Sequence, residues 1–123
     1  MQKGKRLTKS FLVSELSCRC GCGKCDMKPD FLAALQHLRD IVKFPLAINS
    51  GFRCDKHNFA VGGAHSSKHK EGIAVDIDTT KLTKEQRKTL IEAIKLVHEI
   101  KGVGIAPSFI HIDTRKFEAE WVY

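Results

Sequence analysis

Two short segments, Ile73-Ala-Val-Asp76-Ile-Asp78 and Phe109-Ile-His111-Ile-Asp113, alternate aliphatic and polar residues with the period of a half-buried strand. Strands of this kind bury Val75, Ile77, Ile110 and Ile112 and turn Asp76, His111 and Asp113 to the opposite face. If the two pair in one sheet, the polar groups converge. The loop ahead of the first strand, Ser67-Lys-His69-Lys-Glu71-Gly72, adds another imidazole. His69, Asp76 and His111 together have the composition of a catalytic zinc site, in which three protein ligands leave the fourth tetrahedral position open.

The surrounding sequence carries further blocks in a fixed order. Ser50-Gly51-Phe52-Arg53 is followed by His57-Asn58, by Val61-Gly62-Gly63-Ala64, by Ser67-x-His69-x-x-Gly72-x-Ala74-x-Asp76-Ile77, and finally by Gly102-Val103-Gly104 and Phe109-Ile110-His111-Ile112-Asp113. In these blocks the chain resembles the M15-type zinc peptidases, which include D-alanyl-D-alanine carboxypeptidases, dipeptidases and phage endolysins, and in particular the small single-domain branch. The resemblance implies zinc on His69, Asp76 and His111. It also implies that Arg53 holds a substrate carboxylate or carbonyl, a task suited to a planar, permanently charged guanidinium. The implied fold is the α+β arrangement of the hedgehog and DD-peptidase type, with zinc on the open face of a small, mostly antiparallel sheet.

Peptide hydrolysis at such a site needs a Lewis acid and a group that carries the proton to the leaving amine. Several branches of the resembled family place an acid three residues before the second histidine ligand, where this chain has Ser108. Asp113, on the same strand face as His111, is the nearest substitute as general base. It could equally orient the His111 imidazole. Glu71, His65 and Asp78 are weaker candidates for the base, and Ser67 and His65 are close enough in sequence to His69 to donate to a developing oxyanion.

The chain's 123 residues suit a single domain, 1–123, with residues 1–8 expected to be flexible. A hydrophobic share of 42% and a charged share of 28% are those of an ordinary globular protein. The basic amino end is not followed by an apolar run of signal-peptide length, and no run reaches the length of a membrane span. Synthesis in the cytoplasm without a signal peptide is therefore expected, with access to a cell wall through a holin or as part of a virion. The net charge of +7 favours polyanionic partners such as bacterial peptidoglycan and its anionic glycans. Its lysines lack the interleaved aromatics of a single-strand binder, so no nucleic acid is expected, nor a membrane, and the chain is expected to be a monomer.

The five cysteines are a second unusual feature. Cys18, Cys20, Cys22 and Cys25 crowd one glycine-rich turn, residues 17–26, and Cys54 directly follows Arg53. A structural metal, for which Cys22-x-x-Cys25 has knuckle spacing, and a disulfide involving Cys54 are both open readings. An odd count and a reducing cytoplasm favour metal or free thiols.

Helical periodicity predicts a core helix over Pro29–Val42 and a second over about Lys84–Lys101, opened by a Thr83-x-x-Gln86 capping box and stopped at Gly102. His37 and His98 fall on these helices as partly exposed residues. Leu46–Ser50 reads as a strand leading into the arginine loop. The sequence therefore predicts helix, strand, loop, strand, helix, strand. The function expected is a zinc peptidase acting on peptidoglycan stem peptides or cross-links. A wall-binding or virion-structural protein on the same scaffold is the alternative.

Overall fold

The computed structural model describes residues 5–123. The domain is α+β, with a five-stranded sheet in the order β1-β2-β4-β3-β5. The strands are β1 (Ala47–Ser50), β2 (Ala74–Asp78), β3 (Gly102–Ile105), β4 (Phe109–Asp113) and β5 (Ala119–Val122). Neighbours are antiparallel except β3 and β5, which run parallel. The helices are α1 (Val13–Leu16), α2 (Pro29–Val42), α3 (Asp55–Ala60) and α4 (Lys84–Leu96).

The period-two reading of β2 and β4 has its physical counterpart in the core. Val75, Ile77, Ile110 and Ile112 are all 0% exposed and join one cluster with Phe31, Leu35 and Leu38 of α2 and Leu90 and Ile94 of α4. Each such side chain contributes roughly 1.5–3 kcal/mol by leaving water. The pairing sets the site directly, because Asp76 lies opposite His111 in the β2–β4 register. A slip of one residue would turn both into the core.

Helix α2 starts at Pro29, whose missing N–H costs nothing in a first turn, and ends on Lys43 in the left-handed conformation. At the start of α4, Thr83 Oγ1 accepts from the Gln86 amide at 3.0 Å and Gln86 Oε1 accepts from the Thr83 amide at 3.0 Å, closing the expected capping box. The helix stops at Leu96, short of the predicted Lys101. Val97 adopts an extended backbone, and the chain turns so that Val97 and Ile100 can both enter the core while Lys101 donates its N–H to the Asp113 carbonyl. Strands β3 and β5 and helix α3 extend the predicted order. No helix among the described residues is long and apolar enough to cross a membrane.

The expected flexible start, residues 1–8, falls partly outside the described residues. Within them, Leu7 donates its amide to Phe11 O and Thr8 Oγ1 donates to Gln36 Oε1 on α2. Further along, the end of α1 and the segment leading to α2 pack against the loops of the site. The Phe52 amide donates to Leu16 O, and the Lys28 amide donates to Gly72 O. Gly72 has φ +74°, and a Cβ there would overlap the Asp26 carbonyl, so only glycine fits this crossing.

Candidate metal centre and peptide cleft

Asp76 on β2 and His111 on β4 are cross-strand neighbours, and His69 enters from the turn ahead of β2. Asp76 Oδ1 lies 2.9 Å from His111 Nδ1 and 3.2 Å from His69 Nε2. The far nitrogen of each ring is already committed. His69 Nδ1–H donates to the Gly51 carbonyl at 2.8 Å, and His111 Nε2–H donates to Asp113 Oδ2 at 2.7 Å. Each imidazole in this tautomer therefore turns a lone pair toward a carboxylate oxygen. Acceptors facing one another in a buried place are satisfied by a cation between them, either a proton on a ring or a metal ion. The ligand atoms of the three residues lie within 4.8 Å of one another. The donor set of two imidazoles and one carboxylate is that of a catalytic zinc site, so the residues fit the metal.

The electrostatics agree. Burial alone would raise the Asp76 pKa, yet the adjoining His111 and His69 rings, when either carries a second proton, hold its carboxyl well below the usual carboxylate range. Burial would likewise lower the His111 pKa, but the Asp113 and Asp76 carboxylates outweigh it and move that pKa upward.

Asp113, expected as the proton carrier or as an orienter of His111, packs against the His111 ring. Its side chain is 0% exposed and sits on the side of the His111 ring away from Asp76. Both of its oxygens are taken, with Arg115 Nε donating to Oδ1 at 2.8 Å, Arg115 Nη2 to Oδ2 at 2.7 Å and the Arg115 amide to Oδ1 at 3.1 Å. The Arg115 and His111 bonds overcome burial and keep the Asp113 carboxyl below its ordinary range. Gly102 on β3 faces it, and a Cβ at that position would overlap the carboxylate. Asp113 orients the His111 ring.

Arg53 stands beside the three ligands, its Nη2 3.7 Å from Asp76 Oδ2. It is held in place by Nε donating to Ser50 Oγ and Nη1 donating to Asn58 Oδ1, each at 3.2 Å. Asn58 is itself buried and donates through Nδ2 to Ala64 O at 2.8 Å. Ser67 lines the same cleft, where its Oγ accepts from the His69 amide and closes the turn that presents the ligand. Phe109, Trp121 and Tyr123 form an aromatic wall, and Lys68 and Arg115 add positive charge.

The remaining candidates lie elsewhere. Glu71 is exposed and paired with Lys68, Asp78 caps the turn at Thr80, and His65 and Ser108 are exposed outside the cleft lining. Asp76 is the only carboxylate among the described residues lining the cleft. Sequence reasoning gave no role to Asn58, Arg115 or Trp121. Asn58 stood in a quoted block, whereas Arg115 and Trp121 carry no local signal, since one acts through a neighbour two residues away and the other lies on an edge strand.

The Peptidase M15 family model matches residues 8–113, which takes in every residue of this site up to Asp113. The chain belongs to the peptidase M15 family. Its members are zinc peptidases, so the metal expected at His69, Asp76 and His111 of this M15 chain is zinc. No curated protein matches the chain.

Proposed function

We propose that this protein hydrolyses peptide bonds in the stem peptides or cross-links of bacterial peptidoglycan, as a D,D-carboxypeptidase or endopeptidase of the phage-endolysin kind. The observation that carries this reading is the fixed guanidinium of Arg53 beside the ligand triad. Peptidoglycan stems are short peptides rich in carboxylates, and a planar fork next to the metal can take such a carboxylate or the neighbouring carbonyl in two-point contact. Lys68 and Arg115 extend the positive field along the cleft, and Trp121 and Tyr123 offer apolar faces to the small D-alanine side chains.

His69, Asp76 and His111 would hold the zinc, which when bound supplies Lewis acidity toward the scissile carbonyl and lowers the pKa of water. Arg53 positions the peptide, Gly51 O and Asp113 fix the two imidazole rings, and Asn58 fixes Arg53. The enzyme acts as a monomer and reaches the wall after holin release or within a virion.

One observation favours a second reading, a wall-binding or virion-structural protein on the peptidase scaffold: the cleft holds no carboxylate besides Asp76 among the described residues. Mass spectrometry of defined cross-linked muropeptides after incubation with zinc-loaded protein separates the two. New fragments that require both zinc and His69 support the peptidase and identify its bond. Intact substrate, with the protein still sedimenting with purified walls, supports the second reading.

A further inference from the structure

The cysteine-rich turn folds back so that three of its sulfurs meet that of Cys54, the residue after Arg53. Sγ of Cys18 lies 3.4 Å from that of Cys20 and 3.7 Å from that of Cys54, and Cys20 lies 3.7 Å from Cys54. Cys22 completes the group, all four sulfurs falling within 4.8 Å of one another. A tetrahedral zinc with bonds near 2.3 Å has ligand sulfurs about 3.8 Å apart, so these spacings are those of the edges of such a site. We propose that Cys18, Cys20, Cys22 and Cys54 bind a structural zinc ion that joins the turn after α1 to the loop carrying Arg53.

Independent features of the backbone point the same way. The Cys54 amide donates to Cys18 Sγ and the His57 amide to Cys54 Sγ, each at 3.4 Å. Thiols accept hydrogen bonds weakly, whereas a metal-bound thiolate accepts well. Gly21 and Gly23, at φ +86° and +81°, let the chain curl between the ligands, and the Cys18 amide closes the curl on Lys24 O. Arg19, between two of the ligands, donates to the carbonyls of Ser14, Glu15, Ser17, Ile48 and Asn49. It fixes the turn and brings positive charge to a centre that, with four thiolates on one divalent ion, carries net negative charge.

Cys25 is the cysteine left out. It is half-buried and packs against the core, so the Cys22-x-x-Cys25 spacing read as a knuckle is not the one the fold uses. The fourth ligand comes instead from Cys54, far along the chain. On binding, each thiol gives its proton to solvent and its sulfur to the metal, with no change of oxidation state.

The test is metal content of the full chain purified under reducing conditions, which does not depend on any hydrolytic activity. About two zinc per chain are expected in the wild type, about one in Cys22→Ser and about one in His69→Ala, with Cys25→Ser keeping both. Cobalt substitution should give sulfur-to-cobalt absorption in the wild type, in His69→Ala and in Cys25→Ser, but not in Cys22→Ser. Alkylation of the wild type provides a readout that needs no variant. Cys20 and Cys22 are exposed, yet should resist iodoacetamide until a chelator is added. A single zinc that depends only on His69, iron in place of zinc, or ready alkylation of Cys20 and Cys22 before chelation would each overturn the proposal.

Discussion

Replacing Asp113 by Asn keeps the shape of a fully buried side chain and removes its charge. The wild-type carboxylate accepts from His111 Nε2, from the Arg115 guanidinium through two nitrogens and from the Arg115 amide. An amide in its place must set an NH2 against one of these donors. Removing one partner of a buried, hydrogen-bonded pair costs roughly 3–5 kcal/mol. In a domain of this size that corresponds to a fall in Tm of roughly 10–20 °C. The His111 ring loses the contact that fixes its tautomer, so zinc affinity should drop roughly 10–100-fold.

The cost also depends on pH. Asp113 has a folded pKa below its unfolded value of about 3.9, so its contribution is complete above that value and disappears as pH falls through the folded pKa. The wild type and D113N should therefore converge in stability on acidification below about pH 4. Thermal melts across pH, a competitive zinc titration and muropeptide turnover at saturating zinc measure the three effects separately. If zinc affinity and Tm are unchanged while turnover at saturating zinc falls by roughly 100-fold or more, Asp113 moves protons and its assignment as an orienting group is wrong.

Arg53→Lys keeps a charge but cannot make both the Ser50 and Asn58 contacts and a two-point contact to substrate; kcat/KM should fall roughly tenfold or more, mainly through KM, with zinc content unchanged. Gly102→Ala drives a methyl group against the Asp113 carboxylate and should lower stability by roughly 1–3 kcal/mol, so a melt superimposable on the wild type would contradict the packing described. Zinc binding to the triad should weaken as pH falls through the His111 pKa, which is raised above its usual value of about 6.5, because a proton on the ring competes with the metal. A chelator titration showing zinc affinity independent of pH between about 5 and 8 would rule out that competition.

Much of this site was legible because period-two alternation is a strict geometric code. The residues that made β2 and β4 readable as strands, Val75, Ile77, Ile110 and Ile112, also fixed which face Asp76 and His111 must share. Helix α2 was equally plain, with Pro29 at its start and an apolar stripe through Leu38. The strands β3 and β5 were not read as such, since Gly102 and Gly104 break the aliphatic pattern and β5 is a half-exposed edge. Asp113 illustrates a different boundary. Its place on the face of His111 follows from spacing, but which side of the ring it touches depends on Arg115 and on the space above Gly102. The cysteine turn is similar, because Cys54 joins it only through the path of the Arg53 loop.

The groups of the site are held by two different means. Asp76 and His111 ride neighbouring strands in direct register, so the sheet alone sets their separation. His69 and Arg53 ride loops, whose positions a sheet does not determine. Those loops are tied to each other, the Arg53 amide donating to His69 O at 3.1 Å and His69 Nδ1–H to Gly51 O. They are also tied to the end of α1 and the segment that follows it, through the Phe52 amide on Leu16 O and the Lys28 amide on Gly72 O. Residues that place no side chain in the cleft therefore set the distance between Arg53 and the His69, Asp76 and His111 group. Positioning of this kind tolerates little slack, since misplacement by about 1 Å can cost two orders of magnitude in rate. The amino-terminal segment in this sense helps place the site, through these backbone contacts and through the Arg19 guanidinium on the Ile48 and Asn49 carbonyls.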